Sequence, residues 1–339
     1  MSQDYFAEED VILTKLEFDH CNDKNDANSF HISYGIDKNF LFGCGISIAS
    51  VLLSNPENKF VFHIFTDYFS DNDREKFDAL AAQYHSRIVV YLINCEKLKV
   101  LPSTKNWTYA TYFRFIIADY FSGKIDKILY LDADIACKGS VQELIDLRFD
   151  ENEIAAVVAE GDIEWWRKRS ITLDTPKLIN GYFNAGFLLI NLPAWSKYNI
   201  STRAIDMLKD PEAVKKITHL DQDVLNILLA GNDRFVDGKF NTQYSINYEL
   251  KKDKVSDPIP DSCVFIHYIG PTKPWHIWAK YPVSEYFNRA KENSPWQSVS
   301  LLSPSTSHQF RYSAKHYFKQ GLILKCIYSY INYYAKKLF

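Results

Sequence analysis

From Phe30 onward the chain alternates short apolar runs with amphipathic stretches, and that alternation admits few folds. Phe30–Tyr34, Phe60–Thr66, Ile88–Ile93 and Ile128–Leu131 have the length and the β-branched or aromatic content of buried strands. Phe40–Leu53, Asp71–Tyr84 and Tyr109–Phe121 read as the helices between them. Strand–helix alternation of this kind predicts an α/β protein with a mostly parallel sheet covered on both faces. Ile154–Ala159, Tyr182–Ile190 and Val264–His267 read as further strands, with helices near Trp195–Leu208 and at Asp221–Leu229. Gly161–Gly181, which carries Trp165, Trp166, Arg167, Lys168 and Arg169, reads as a long loop or lid. Residues 1–28 are acid-rich and weakly patterned, and read as a lead-in segment.

The chemistry concentrates where one of these strands ends. Lys127-Ile128-Leu129-Tyr130-Leu131-Asp132-Ala133-Asp134 is an apolar run delivering two carboxylates, one residue apart, to a sheet edge. The carboxyl ends of strands are where open α/β sheets bind ligands. Adjacent negative charges repel, so such a pair calls for a cation. Two other Asp-x-Asp triplets have an ordinary explanation: Asp71-Asn72-Asp73 follows Ser70 at a helix start, and Asp221-Gln222-Asp223 also opens a helical pattern.

Composition narrows the classes. Hydrophobic residues make up 47% and charged residues 24% of the 339, as in ordinary folded proteins. A net charge of −3 argues against nucleic-acid binding through overall charge. Cys21, Cys44, Cys95, Cys137, Cys263 and Cys326 are scattered without zinc spacing, which predicts reduced structural thiols of a cytoplasmic protein. The acidic start, Met1 to Asp10, lacks the apolar core of a secretory signal. No apolar run approaches a membrane span, which predicts a soluble or peripheral protein. After Glu292 no acidic residue recurs, while Arg311, Lys315, Lys319, Lys325, Lys336 and Lys337 interleave with Tyr312, Tyr317, Phe318, Tyr328, Tyr330, Tyr333, Tyr334 and Phe339. A basic, aromatic tail suits an anionic membrane surface.

A partner for the two aspartates stands at another strand end. His267 closes the run Val264-Phe265-Ile266 and precedes Tyr268-Ile269-Gly270-Pro271-Thr272-Lys273-Pro274-Trp275. Two carboxylates and an imidazole suit Mn²⁺, with Mg²⁺ also compatible. Gly270 would admit a phosphate to the backbone and Lys273 would neutralise it. No Gly-x-x-x-x-Gly-Lys-[Ser/Thr] loop is present, and Gly43-Cys44-Gly45 lacks the third glycine of a dinucleotide fingerprint, which weakens ATPase and dehydrogenase readings.

Four motifs occur in an order that resembles glycosyltransferase family 8: Tyr130-Leu131-Asp132-Ala133-Asp134, Gly181-Tyr182-Phe183-Asn184-Ala185-Gly186, Leu220-Asp221-Gln222-Asp223 and His267 to Trp275. The resemblance implies a GT-A fold over residues 29–278, after the lead-in of 1–28, and a helical C-terminal extension over 279–339 that contacts membrane or acceptor. Tyr34-Gly35-Ile36-Asp37-Lys38-Asn39-Phe40 and Asn106-Trp107-Thr108-Tyr109-Ala110-Thr111-Tyr112-Phe113-Arg114-Phe115 look like the enterobacterial lipopolysaccharide-core members. Those attach an α-1,3-linked glucose or galactose to the first core glucose.

The activity that this resemblance implies is retaining transfer of a hexose from UDP-galactose or UDP-glucose onto the lipopolysaccharide core, at the cytoplasmic face of the bacterial inner membrane. By the same resemblance, Asp132, Asp134 and His267 would hold Mn²⁺ against the donor diphosphate, with Ala133 between the aspartates. Lys273 and the backbone near Gly270 would stabilise the departing charge. Tyr34, Gly35, Ile36 and Asp37 would cradle uridine, Arg114 would contact the donor, and Asn184 and Asp221 would hold sugar hydroxyls. Gln222 occupies the position debated as a nucleophile. An amide oxygen is a poor one, so the expectation is that Gln222 stabilises an oxocarbenium-like state while the acceptor attacks the face that UDP leaves. Two competing classes are an aspartyl-phosphate phosphatase, which also opens on strand–Asp-x-Asp, and a non-catalytic sugar- or membrane-binding protein.

Overall fold

The computed structural model describes residues 6–22, 29–103, 108–253 and 258–338. Asn106 and Trp107, the first residues of the lead-in and Phe339 of the tail lie outside the described residues. Among the described residues eleven strands are formed: β1 Ile12–Asp19, β2 Phe30–Ile36, β3 Phe60–Thr66, β4 Arg87–Ile93, β5 Lys127–Leu131, β6 Ile135–Cys137, β7 Ala155–Ala159, β8 Phe183–Asn191, β9 Asp233–Phe235, β10 Thr242–Gln243 and β11 Phe265–His267. Eight of them make one sheet in the order β1-β4-β3-β2-β5-β8-β7-β9, and β10-β11-β6 make a second.

The sheet is mixed rather than mostly parallel. β4, β3, β2 and β5 run parallel, but β8 is antiparallel to both β5 and β7, and β1 is antiparallel to β4. Apolar runs cannot disclose direction, because a strand buried on both faces reads alike whichever way its neighbour runs. All seven residues of β3 are buried, as a central strand under helices on both faces requires. The lead-in corrects the sequence reading too. Ile12–Asp19 adds an edge strand to β4, and its mostly part-exposed residues explain why the apolar pattern there is faint.

The main helices are α1 Leu41–Ser54, α2 Asp71–Gln83, α3 Phe113–Phe121, α4 Ile163–Thr172, α5 Leu220–Leu229, α6 Ser307–Lys319 and α7 Ile323–Leu338. Ser70 and Asp73 form a reciprocal capping box at the start of α2, as Asp71-Asn72-Asp73 predicted. The expected lid is instead helix α4 followed by a 3-10 turn at Pro176–Asn180, with Asp162 accepting from Trp165 N as the cap. The mixed content of that stretch hid the helix: only Arg169 and Ser170 are buried within it. The helix expected near Trp195–Leu208 is two, Leu192–Lys197 and Ile200–Lys209, broken where Asn199 takes φ 50°.

The extension folds as an α6–α7 hairpin against the body. Trp278 is fully buried among Ala314, Tyr317 and Cys326. His316, also fully buried, bonds the Tyr281 hydroxyl at 2.8 Å and Asn247 Oδ1 at 2.9 Å. On α7, Cys326 and Ser329 face inward, while Leu324, Ile327, Tyr328, Ile331, Tyr334 and Leu338 are exposed at helical spacing. No helix among the described residues is long and apolar enough to cross a membrane.

Candidate active site

Strand pairing assembles the site. β5 ends at Leu131 opposite Phe187 of β8, so Asp132 N donates to Gly186 O at 2.8 Å. The chain turns through Asp132-Ala133-Asp134 into β6, which pairs with β11 so that His267 lies opposite Ile135. That register sets His267 Nε2 3.1 Å from Asp134 Oδ1 and 3.9 Å from Asp132 Oδ2. The three residues offer ligand atoms all within 4.8 Å of one another.

Three observations test whether these residues fit a divalent cation. First, Asn241 Nδ2 donates to Asn184 Oδ1, so Asn241 Oδ1 accepts from His267 Nδ1 at 2.9 Å. The imidazole proton is thereby committed to the far side, and Nε2 turns its lone pair toward the carboxylates, the usual outer-shell device for a metal-binding histidine. Second, Asp134 Oδ1 is buried without a hydrogen-bond donor. Third, a Cβ on Gly186 would lie 2.5 Å from His267 Cε1 and 2.7 Å from Asp132 Oδ2. Only glycine leaves that space open. The donor set, two oxygens and one nitrogen, suits Mn²⁺ or Mg²⁺.

Lys273 reaches Asp134 Oδ2 and donates to Tyr268 O at 2.8 Å. Burial alone would raise the Asp134 carboxyl, but the Lys273 ammonium overcomes it and holds it well below the usual range. Gly270 has φ 84°, a backbone that disfavours side chains, and a Cβ there would come 2.9 Å from Ser245 Oγ.

Arg114 organises the carboxylates from beneath. It is 3% exposed on α3, its Nε 3.1 Å from Asp221 Oδ2 and its Nη2 3.4 Å from Asp132 Oδ1, with the guanidinium 4.4 Å over the Tyr130 ring. Burial opposes its charge, yet Asp221, Tyr130 and Asp132 hold its pKa above the ordinary value. Asp221 is also 3% exposed and accepts from Thr111 Oγ1 at 2.6 Å. Its pKa is raised, burial outweighing Arg114 and Thr111. Removing one partner of so buried a pair typically costs about 3–5 kcal/mol. Arg114 thus bridges Asp221 and Asp132, and Asp221 in turn is anchored by Arg114 and Thr111.

The cradle expected at Tyr34 to Asp37 is divided. Tyr34 is fully buried with its hydroxyl 3.1 Å from Ser47 Oγ, and Ile36 is buried as well. A Cβ on Gly35 would come 2.7 Å from Phe113 Cβ, so that glycine lets α3 approach β2. Asp37 is part-exposed, caps the next turn through Asn39 N and accepts from Thr108 Oγ1 at 3.4 Å. Of the three side chains at Tyr34, Ile36 and Asp37, that of Asp37 is the part-exposed one.

Gln222, in the first turn of α5, lies in a fixed hydrogen-bond frame against the start of β8. Its Oε1 accepts from Asn184 Nδ2 at 3.1 Å and Ala185 N at 3.2 Å, while its Nε2 donates to Glu160 Oε2 at 2.8 Å and Tyr182 Oη at 3.2 Å. Leu220, just before Asp221, takes φ 41°, an outlier for a bulky residue of the kind that collects at functional sites. Asp223 faces inward, fully buried, accepting from Tyr182, Arg169 and the backbone of Thr218 and His219. Burial opposes the charge of Asp223, but His219, Tyr182 and those backbone bonds hold its pKa below the carboxylate range.

Sequence reasoning missed Glu160, Asn241, Tyr130 and Thr111. Asn241 sits between apparent loop residues, and Glu160 looks like the first polar residue after a strand. Their partners are distant in sequence, so no local pattern marks them.

Comparison with known proteins agrees with this geometry. Residues 31–279 match the sequence profile of glycosyl transferase family 8, and residues 281–337 match the glycosyl transferase family 8 C-terminal profile. The chain is 65% identical over its full length to a lipopolysaccharide 1,3-galactosyltransferase of Salmonella typhimurium, 99% of which is covered. It is 52% identical, again end to end with 99% of the relative covered, to the lipopolysaccharide glucosyltransferase WaaO of Escherichia coli. Among solved structures, the galactosyltransferase LgtC bound to donor and acceptor sugar analogs superimposes with a TM-score of 0.66 at 24% identity, covering 78% of this chain and 96% of that one. The phosphatase and non-catalytic readings find no counterpart in these matches. Strand-end aspartates, the returning histidine and the paired α6–α7 extension all fall within the matched spans, and the chain belongs to glycosyl transferase family 8.

Proposed function

We propose that the protein is a retaining transferase that moves galactose or glucose from a UDP-sugar, in α-1,3 linkage, onto a glucose of the lipopolysaccharide core. The observation that carries this reading is the Asp132–Asp134–His267 cluster with Lys273 beside it, in a chain 65% identical to a lipopolysaccharide 1,3-galactosyltransferase. Asp132, Asp134 and His267 would hold Mn²⁺, with Mg²⁺ as the other candidate, and the cation would supply Lewis-acid charge for the diphosphate. Lys273 is near enough to Asp134 to share that diphosphate, and Gly270 keeps the backbone there open to it. Asp37 would meet the uridine.

Asn184 and Gln222 would form the floor beside the cation. Gln222 has both ends of its amide engaged, which fixes it as a preorganised dipole rather than a mobile nucleophile. In this reading the acceptor hydroxyl attacks from the side on which UDP departs, and the leaving phosphate takes its proton. Residues 1–28, 29–278 and 279–339 would serve as lead-in, transferase body and membrane-contacting extension, the last through the exposed face of α7 at the cytoplasmic side of the inner membrane.

The experiment is transfer to truncated core lipopolysaccharide from labelled UDP-galactose and UDP-glucose in parallel, with and without chelator. Chelator-sensitive transfer from one of them supports the reading and names the sugar. No transfer from either, with UDP still bound, overturns the acceptor or the reaction.

A further inference from the structure

Where the extension meets the body, a cavity of about 660 Å³ opens between residues 247–251 and helices α6 and α7. Its polar lining is made of donors: Asn247, Lys251 and Lys315. No carboxylate lines it, and neither lysine has an acidic partner among the described residues. The neighbouring cations are used differently, since Lys252 pairs with Glu249 and Lys319 donates to Lys252 O. Asn247 Oδ1 is taken by Thr272 Oγ1 at 2.7 Å and by His316 Nε2 at 2.9 Å, which leaves its amide N–H groups for the cavity. Tyr312, Phe318 and Tyr330 supply aromatic walls.

The position matters as much as the lining. On one side Asn247 bonds Thr272, the residue before Lys273, so the cavity abuts the proposed diphosphate loop. On the other side Tyr330 belongs to α7, whose outer face exposes Leu324, Ile327 and Ile331. The cavity thus lies between the proposed diphosphate loop and the exposed apolar face of α7.

We propose that this cavity binds a phosphorylated sugar of the acceptor, on the lipid side of the glucose that is modified. This rests on the acceptor assigned above. Two ammonium groups and an amide donor, with no acidic partner among the described residues, select an anion, and flat rings cover the apolar faces of a sugar. The volume lies within the range of small-ligand sites and accommodates one or two sugar units. Lys251 and Lys315 act by binding, not on the reacting atoms.

The test uses full-length protein and lipid-free core oligosaccharide in two forms, phosphorylated and dephosphorylated with hydrofluoric acid. In the Lys251→Ala/Lys315→Ala variant, the acceptor KM should rise at least about tenfold for the phosphorylated form, with kcat and donor KM unchanged; tenfold is about 1.4 kcal/mol. For the dephosphorylated form, wild type and variant should coincide. An unchanged KM, or equal losses on both forms, overturns the proposal. Tyr330→Ala should raise KM on both forms, and an unchanged value removes the aromatic wall from the site. A lipid-headgroup site is the third outcome: the double variant then loses binding to phosphatidylglycerol vesicles but keeps its oligosaccharide KM, which also overturns the proposal. Should wild type transfer no hexose at all, the reaction assignment fails, and calorimetric titration of the two oligosaccharides reads the cavity alone. Tighter binding of the phosphorylated form that disappears in the double variant still supports it, and equal binding overturns it.

Discussion

Glu160 Oε2 accepts a hydrogen bond from Gln222 Nε2 at 2.8 Å, so a full carboxylate stands behind an uncharged side chain. Asn184 Nδ2 lies 3.5 Å from the same oxygen. A positive charge growing at an anomeric carbon near Gln222 would therefore meet both the amide dipole and the charge that orients it. Glu160→Gln should lower kcat about 10²-fold with the donor KM little changed, and Glu160→Asp should recover part of the loss. Steady-state kinetics of the three proteins decide; a change confined to donor KM contradicts a role in the transition state.

The two aspartates should be harder to replace. Asp132→Asn and Asp134→Asn each remove an anionic ligand, and kcat/KM should fall at least about 10³-fold across the tested divalent metals. Near-normal transfer by either variant would sink the metal assignment. Circular dichroism and the melting midpoint separate this from misfolding, which Asp132→Asn in particular should not cause because that side chain is partly exposed.

Gly186 offers a test that replaces no ligand residue. The methyl group of Gly186→Ala would enter the space between His267 and Asp132. Manganese affinity, read by electron paramagnetic resonance, should weaken about 10–100-fold, the scale of losing an orienting neighbour. Unchanged affinity would mean that the cation sits elsewhere.

Two buried histidines, His276 and His316, contribute to acid lability. Burial, with Lys273 and His316 nearby, pushes His276 down to about 3, and burial with Lys315 pushes His316 down to about 4. Both folded values lie below the unfolded value of about 6.5, so the unfolded chain binds these protons first. Their contribution is whole above about pH 6.5 and is lost as pH falls toward 4, with a slope of up to about 1.4 kcal/mol per pH unit for each group. Urea melts at pH 7, 6 and 5 should show midpoints falling with pH. His316→Gln, which keeps a polar group but cannot titrate there, should flatten the slope.

The outer face of α7 predicts a surface, not a span. Ile327→Asp/Ile331→Asp replaces two exposed apolar side chains and adds negative charge. Sedimentation with anionic vesicles should fall several-fold while transfer to a lipid-free acceptor stays intact. Equal losses in both assays would assign α7 to the fold instead.

Much of the fold was legible because buried strands announce themselves: Phe60–Thr66 spans the same residues in sequence reasoning and in the structure. Strand direction was not, since it depends on which neighbour β8 finds, and nothing in Phe183–Asn191 states that. Helix α4 was read as a lid because helical periodicity needs a buried stripe, and only two of its residues are buried. The cluster of Asp132, Asp134 and His267 was legible because each stands at a strand end. The Arg114 bridge between Asp221 and Asp132 was not legible, because its three residues lie far apart in sequence. Sequence names a residue type but not the direction its side chain takes.

Asp134 and His267 become neighbours only when β11 adds to β6, a pairing that closes a loop of 133 residues, from 134 to 267. Chain entropy opposes so distant a closure, and nothing within either segment can anticipate it. A polypeptide interrupted between β6 and β11 can carry the parallel half of the sheet and both aspartates, yet it has no imidazole to complete the cluster. The reactive centre is thus a property of the finished chain, and a nascent or truncated copy would be chemically silent however well its first half folds.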